Sequence, residues 1–573
     1  MSIGTTGRAI CAGLLLLTLI GCATSSQAKT APTATTFPHT TINPNTLTGK
    51  LMMGYQGWFG CPNDGSQLND WVHWLKATPA IASNVRVDMW PDTAELEPAD
   101  RCPTRMTLPD GSPAYLYSAY GPKTVLRHFQ WMAQYGVDGV MLQRFTSTLT
   151  VPALRDHDNR VAQNVMSAAQ ATGRVFNMMY DISGEDEATF VPRIEADWKY
   201  LVDTLKVTES PRYLHHAGKP VLALWGIGFT EHPGTPAQAM ELLNFFEHNP
   251  NPRYQVTLMG GAPTYWRTLT NDALPDPGYA NYYCALNVIS PWTVGRYASD
   301  IEVDQYVSQV VTPDIARAKQ CGAQYMPVVY PGTSFHNSGG TPLNDIPRRG
   351  GRFYWRQVDD FLSAGATMLY NAMFDEVDEG TAMYKTAATA ASQPAGLDLV
   401  RLDLDGEAIP SDWYLHLAGE ASKMTRHETT LSPTMPLTPT PLAGSYPIQI
   451  RVATTSDWTT VTLLDGGEFA PMQVTSYTPG ISAGWVGSQL HLNQPGQNGA
   501  NSVEVVVRGY LRNVTTASNL HFRIERGAIG TTTLELSAII GGNPVVVQKF
   551  VWSGLSGGLN PADFTVPAKG FMS

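Results

Sequence analysis

The sequence predicts a (β/α)8 TIM-type barrel with a C-terminal all-β sandwich, an α/β body carrying an accessory domain, and three observations carry the prediction. Short apolar runs alternate with helical stretches from about residue 50 to 425. A Pro/Thr-rich break follows, and beyond it the pattern becomes dense period-two alternation.

Nine runs qualify as strands. Leu51–Phe59, Val85–Met89, Gly139–Phe145, Val175–Ile182 and Pro220–Gly226 come first, and Gln255–Gly260, Ala285–Ser290, Tyr325–Tyr330 and Thr367–Phe374 follow. Several are apolar throughout, as strands covered on both faces of a parallel sheet are. Helical signals lie between them. Thr124–Tyr135 places Val125, Phe129, Met132 and Ala133 at helical spacing, and Ala196–Leu205 and Pro236–His248 behave alike. A barrel takes eight strands, so one is surplus. Val85–Met89 is assigned outside the barrel, and the barrel domain to residues 49–428.

Residues 429–443, which include the run TTLSPTMPLTPTPL, read as a linker with little capacity for helix or strand. The remaining 444–573 hold alternating segments at Pro447–Val452, Thr459–Leu464, Ser502–Val507, Leu520–Ile524 and Thr532–Ile539, parted by Gly- and Asn-containing turns. That pattern fits a sandwich, serving either to bind carbohydrate or to pack against the barrel.

At the other end, Arg8 precedes an apolar stretch, Ala9 to Ile20, which is the length of a signal-peptide core and too short to span a bilayer. It closes on Leu19-Ile20-Gly21-Cys22, which resembles a bacterial lipobox, so residues 1–21 are expected to be removed and Cys22 to carry a lipid. Ala23, where an Asp would retain the protein at the inner membrane, directs the expectation to the outer membrane, facing the periplasm or the exterior. Residues 22–48, rich in Thr, Ser, Ala and Pro, read as a flexible tether. Cys61, Cys102, Cys284 and Cys321 remain, an even number suited to two disulfides in an oxidising compartment. Of three possible pairings, proximity favours Cys61–Cys102 with Cys284–Cys321. No CxxC spacing points to a metal site, and neither a metal nor another cofactor is expected.

The net charge of −11 argues against nucleic acid as a partner, since phosphate binding needs clustered Lys and Arg. Aromatic residues make up 10% and charged residues only 15%, a balance that suits a carbohydrate-handling protein outside the cytoplasm. Oligomeric state leaves no mark on the sequence.

In a barrel the chemistry sits just past the strand ends. Those positions hold Gln56 and Trp58; Asp88 and Trp90; Gln143 and Arg144; Tyr180 and Asp181; Trp225; Trp292; and Tyr330. Aromatic rings cover the apolar face of a sugar, while carboxylates, amides and guanidinium groups take its hydroxyls. Trp58, Trp90, Tyr180, Trp292 and Tyr330 are therefore candidate stacking residues. Asp88, Arg144 and Asp181 are candidate polar contacts. The last strand runs into Asp375, Glu376, Asp378 and Glu379, four carboxylates in five residues. Glycoside hydrolysis needs one carboxylic acid and one carboxylate. If the chain turns helically there, Glu376 and Glu379 share a face with Cβ atoms about 5–6 Å apart. A solvated acidic turn or a calcium loop is the competing reading.

The stretch Phe374-Asp375-Glu376-Val377-Asp378-Glu379-Gly380-Thr381 resembles the motif of glycoside hydrolase family 99, the endo-α-mannosidases and α-mannanases. Gly57-Trp58-Phe59 and the GVDGVMLQRF strand resemble the wider group joining it to family 71, the α-1,3-glucanases. The resemblance spans roughly residues 50 to 420 and is sharp only at these motifs. It implies that Glu376 acts as base on the substrate's own 2-hydroxyl, giving a 1,2-anhydro sugar, and that Glu379 acts as acid and then as base for water. The family pattern has Asn before the first glutamate and Trp-His between the two, where this chain has Asp375, Val377 and Asp378. The expectation is thus an enzyme that hydrolyses α-linked glycans. A non-catalytic glycan-binding lipoprotein, a xylosidase- or arabinosidase-type hydrolase and a calcium-dependent adhesin are the other readings.

Overall fold

The protein is described by a computed structural model covering residues 40–465 and, beyond them, 468–478, 482–486, 489–493, 502–512, 514, 518–527, 530–540, 543–553 and 562–572. Cys22, the signal segment 1–21 and most of the expected tether lie outside the described residues.

Eight parallel strands form the core of the N-terminal part. They are β1 (Leu51–Tyr55), β2 (Gly139–Phe145), β3 (Val175–Asp181), β4 (Lys219–Trp225), β5 (Thr257–Ala262), β6 (Val288–Pro291), β7 in two short pieces (Gln324–Tyr325 and Val328–Val329) and β8 (Leu369–Asn371). Sequential neighbours pair from β1 to β6. The first piece of β7 pairs with β6, its second piece with β8, and β8 returns to β1. The ring therefore closes, with Met326-Pro327 as the point where β7 changes partner. All five residues of β1 are buried, as a strand inside a helix-clad ring must be.

The expected strands fall on these elements to within a few residues, save that Tyr325–Tyr330 is broken in two. Val85–Met89 lies outside the ring, where Val85 makes a bridge to Leu75. Helices fill the connections. Pro236–His248 begins with a capping box, Thr235 accepting from the Gln238 amide while Gln238 reaches back, and with Pro at the first turn. Pro152–Thr172 ends on Gly173 in the left-handed region.

The expected tether needs a correction at its C-terminal end. Residues 40–48 are laid against the bottom of the barrel, with Ile42 and Leu47 buried. The Ile42 amide donates to Gly173 O at 3.0 Å and the His215 amide to Pro44 O at 2.6 Å, while Arg174 and Arg212 hold the carbonyls of Thr40 and Ile42. Two apolar anchors in a polar run suffice to dock it.

The linker is also held to the protein. Trp355 Nε1 donates to Ser432 O at 2.9 Å, and Thr440–Pro441 pairs with Glu407–Ala408. Two five-stranded antiparallel sheets follow. Alternate residues such as Ile448, Ile450 and Val452 of one sheet and Leu520, Phe522 and Ile524 of the other fill the space between them. Tyr510 of the sandwich donates to Glu407 of the barrel part at 2.6 Å. Both expected disulfides are present, Cys61–Cys102 and Cys284–Cys321. Among the described residues no helix is long and apolar enough to cross a membrane.

Candidate active site

A cavity of about 430 Å³ opens at the C-terminal end of the barrel strands, a volume suited to a few sugar units. Strand alternation decides which residues reach it. On β2, Gln143 and Phe145 line the cavity; on β3, Met179 and Asp181 do, followed by Ser183. The residues between them point the other way. Arg144 is buried behind the sheet, its guanidinium on both oxygens of Asp197 at 2.7 Å and on Asn159 at 2.9 Å. Tyr180 sends its hydroxyl to the same Asp197 at 2.7 Å. Both were expected to contact substrate, and both instead join β2 and β3 to the surrounding helices.

Three further expectations are corrected. Asp88 is fully buried and accepts from the amides of His336 and Asn337 at 2.6 and 2.7 Å. Trp90 is buried beside a separate cleft that also includes Arg101 and Tyr115. Tyr330 faces the outer helices, its hydroxyl on Tyr297 O and its amide on Gln357 Oε1. Asp88 and Trp90 lie at the end of a run that does not belong to the barrel, so their position there carries no information about the site.

Trp58, Asp181, Trp292, Glu376 and Glu379 do come together in the cavity. Trp58 lies in a sandwich, with His73 at 3.8 Å on one face and Phe145 at 5.5 Å on the other, so it presents an edge. Trp225 and Trp292 meet edge to face at 5.3 Å on the far wall. Gly261 makes room for them: a Cβ there would stand 1.9 Å from the Trp225 ring.

The acidic segment is a turn and not a regular helix. Glu376 O accepts from the Thr381 and Ala382 amides, and Gly380 takes a positive φ of 67° where a Cβ would strike Ser334 N at 2.8 Å. Several groups brace it. The amides of Asp88 and Met89 donate to Val377 O, and Arg348 donates to the carbonyls of Gly380 and Ala382 at 2.7 Å. Asp375 accepts from the Gln56 and Gly57 amides at 2.7 and 2.9 Å. Glu376 accepts from Gln56 Nε2 at 2.5 Å and from the Thr381 hydroxyl at 2.8 Å. Among the described residues, no protein group donates to the Glu379 side chain, which borders the cavity.

Burial sets the electrostatics. It pushes Asp375 up to about 7 and Glu379 up to about 8, with Asp378 and Asp181 adding repulsion to Glu379. Glu376 is raised well above the usual carboxylate range, by burial first and then by Glu379 and Asp378. Asp181 is also raised by burial, against hydrogen bonds from Ser183. A proton is therefore held within the glutamate pair near neutral pH. Hydrogen bonds to Glu376 favour its charged form, whereas among the described residues only the more distant charge of Arg86 favours the Glu379 anion, so Glu379 is the better place for the proton. Among the described residues no group of three or more His, Cys, Asp or Glu is arranged to hold a metal ion.

Sequence reasoning missed Met179, Phe229, His232, Arg296, Tyr370 and Met373 of the lining. Met179 and Tyr370 could have been found by parity along β3 and β8. Phe229, His232 and Arg296 follow strand ends by several residues and carried no signal, and Met373 stands just past the end of β8.

Several solved structures are similar to the chain. The GH99 endo-alpha-mannosidase from Bacteroides thetaiotaomicron matches with 14% identity over 67% of this chain and 99% of its own, at a TM-score of 0.48. The same enzyme in complex with bis-tris-propane gives 14% identity, the same coverage and a TM-score of 0.49. A glycoside hydrolase-like protein gives 12% identity over 61% of this chain and 98% of its own, at a TM-score of 0.40. The chain is similar to these proteins in fold. No family model and no curated protein matches it.

Proposed function

We propose that the protein is a glycoside hydrolase acting inside α-linked glycan chains, with Glu376 and Glu379 as its reacting carboxyl groups. One observation carries the reading: two glutamates three residues apart share a buried, aromatic-walled cavity at the catalytic end of a barrel, and their surroundings hold a proton between them.

The roles follow from the hydrogen bonds and the motif resemblance. Glu376 removes the proton from the substrate's 2-hydroxyl as that oxygen attacks C1, and Glu379 gives its proton to the departing glycosidic oxygen. A 1,2-anhydro sugar results. Glu379 then takes a proton from water as the water oxygen attacks C1 and the C1–O2 bond opens, and Glu376 returns its proton to O2. Two inversions give net retention. The departure at Asp375 has a local rationale: two backbone amides point at its two oxygens, and an asparagine could accept only one of them.

Incubation with α-mannans, α-glucans and arabinoxylans, with product length and anomer followed by NMR, tests the reading. Short internal fragments released with retention support it; release of monosaccharides only, or inversion, removes internal cleavage or the 2-hydroxyl route respectively. The same proposal places the enzyme on a membrane through a lipid on Cys22, and Cys22→Ser should abolish incorporation of labelled palmitate. The sandwich is read as a domain that packs on the barrel, a role favoured by the Tyr510–Glu407 bond.

A further inference from the structure

The glutamate pair has a third carboxylate between its members, and that group is reached from far upstream. His73 Nδ1 stands 3.4 Å from Asp378 Oδ2, across 305 positions of sequence. The imidazole lies flat on Trp58, 3.8 Å between centroids and 4° between planes. Asp378 is buried, and its other oxygen has no partner among the described residues.

The backbone is built for this contact. His73 has φ of 62°, a left-handed conformation that a histidine adopts at a cost. Its neighbours hold it there: the Gly60 amide donates to Val72 O, the Arg86 amide to Trp74 O, and Trp74 Nε1 to Tyr117 O at 2.8 Å. Cys61–Cys102 closes the same loop. Strain maintained by surrounding bonds, with the ring aimed at a buried carboxylate, marks a contact that the loop is shaped to make.

We propose that His73 is a positioning residue for the proposed reaction: it fixes Asp378, and through Asp378 the charge felt by Glu376 and Glu379, while tying that turn to the Trp58 wall. The charged and titratable groups that feel Asp378 are Asp375, Glu376 and Glu379 on its own turn, Tyr384 just beyond the turn and His73 from the loop after β1, while Asp181 from β3 and Arg86 act on Glu379. Among the described residues, His73 is the one that bonds to the Asp378 carboxylate.

The kinetic part of this inference rests on the hydrolase reading, whereas the contact itself does not. Two measurements separate them. Nitrogen chemical shifts of the His73 ring at pH 8 should show the proton on Nδ1 in the wild type and a shift towards the Nε2–H tautomer in Asp378→Ala; identical spectra would overturn the contact whether or not the protein is an enzyme. With a hydrolysed glycan, His73→Phe keeps a ring on Trp58 and loses the bond. It should lower kcat about tenfold with little change in KM and displace the pH profile of kcat/KM, and Asp378→Asn combined with it should add little. An unmoved profile, or losses that multiply independently, would overturn the positioning role. If the wild type hydrolyses no glycan, the hydrolase reading and the kinetic role fall together, and the ring spectra still decide the contact.

Discussion

Asp375 holds the end of β1, accepting from the amides of Gln56 and Gly57 on separate oxygens at 2.7 and 2.9 Å. That bond pair joins the first strand of the barrel to the turn after the last. It also places Gln56, whose side chain donates to Glu376. Asp375→Asn keeps the shape but turns an NH2 group against an N–H. The expected loss is about 1–3 kcal/mol of stability, read as a fall in Tm by calorimetry, with a fall in hydrolysis because Gln56 moves.

The raised carboxyl groups predict how stability depends on pH. Glu379 binds its proton more tightly in the folded protein, where it titrates at about 8, than in the unfolded chain near 4.5. The folded state then holds more protons between those values, so stability falls as pH rises through the window and the penalty is complete above about 8. Glu379→Gln removes the penalty. Its Tm should match the wild type at pH 4 and exceed it by a few degrees, roughly 1–2 kcal/mol, at pH 8.5.

Thr381 separates the roles of the two glutamates. Its hydroxyl donates to Glu376 at 2.8 Å and so favours the carboxylate needed as base. Thr381→Val should lower kcat by about ten- to a hundredfold, the worth of one hydrogen bond to a charged group. It should also move the acidic limb of the pH–rate profile upward, because the base becomes harder to ionise. The basic limb, set by Glu379, should stay near 8.

Parity along β2 gives a paired test. Arg144→Met leaves Asp197 buried without its cation and should cost about 3–5 kcal/mol of stability. Gln143→Leu should leave Tm within about 1 kcal/mol of the wild type and reduce kcat/KM, since Gln143 borders the cavity and bonds Asp181 at 3.1 Å. Denaturation curves and steady-state rates on the two variants check the contrast.

These neighbours explain what could be read in advance. Apolar runs made the eight strands visible because a barrel strand is buried on both sides, and the acidic turn was visible because four carboxylates rarely follow such a run. The same burial hid the orientation of individual residues. When both faces of a strand are apolar, hydropathy does not mark which face looks into the cavity, and Arg144 and Tyr180 were assigned one position out of phase with Gln143, Met179 and Asp181. Asp88 and Trp90 misled for another reason, because their strand-like run pairs with no barrel strand. His73 could not be read at all: it sits in a long irregular loop, and only the closed ring brings it to Asp378.

The most direct test of the account is to change Glu376 and Glu379 separately to Gln and measure hydrolysis alongside glycan binding by calorimetry. The account predicts that each variant loses about 10²–10⁴-fold or more in kcat while still binding the glycan. Unchanged turnover in both variants, or a wild type that binds glycans and cleaves none, would contradict it.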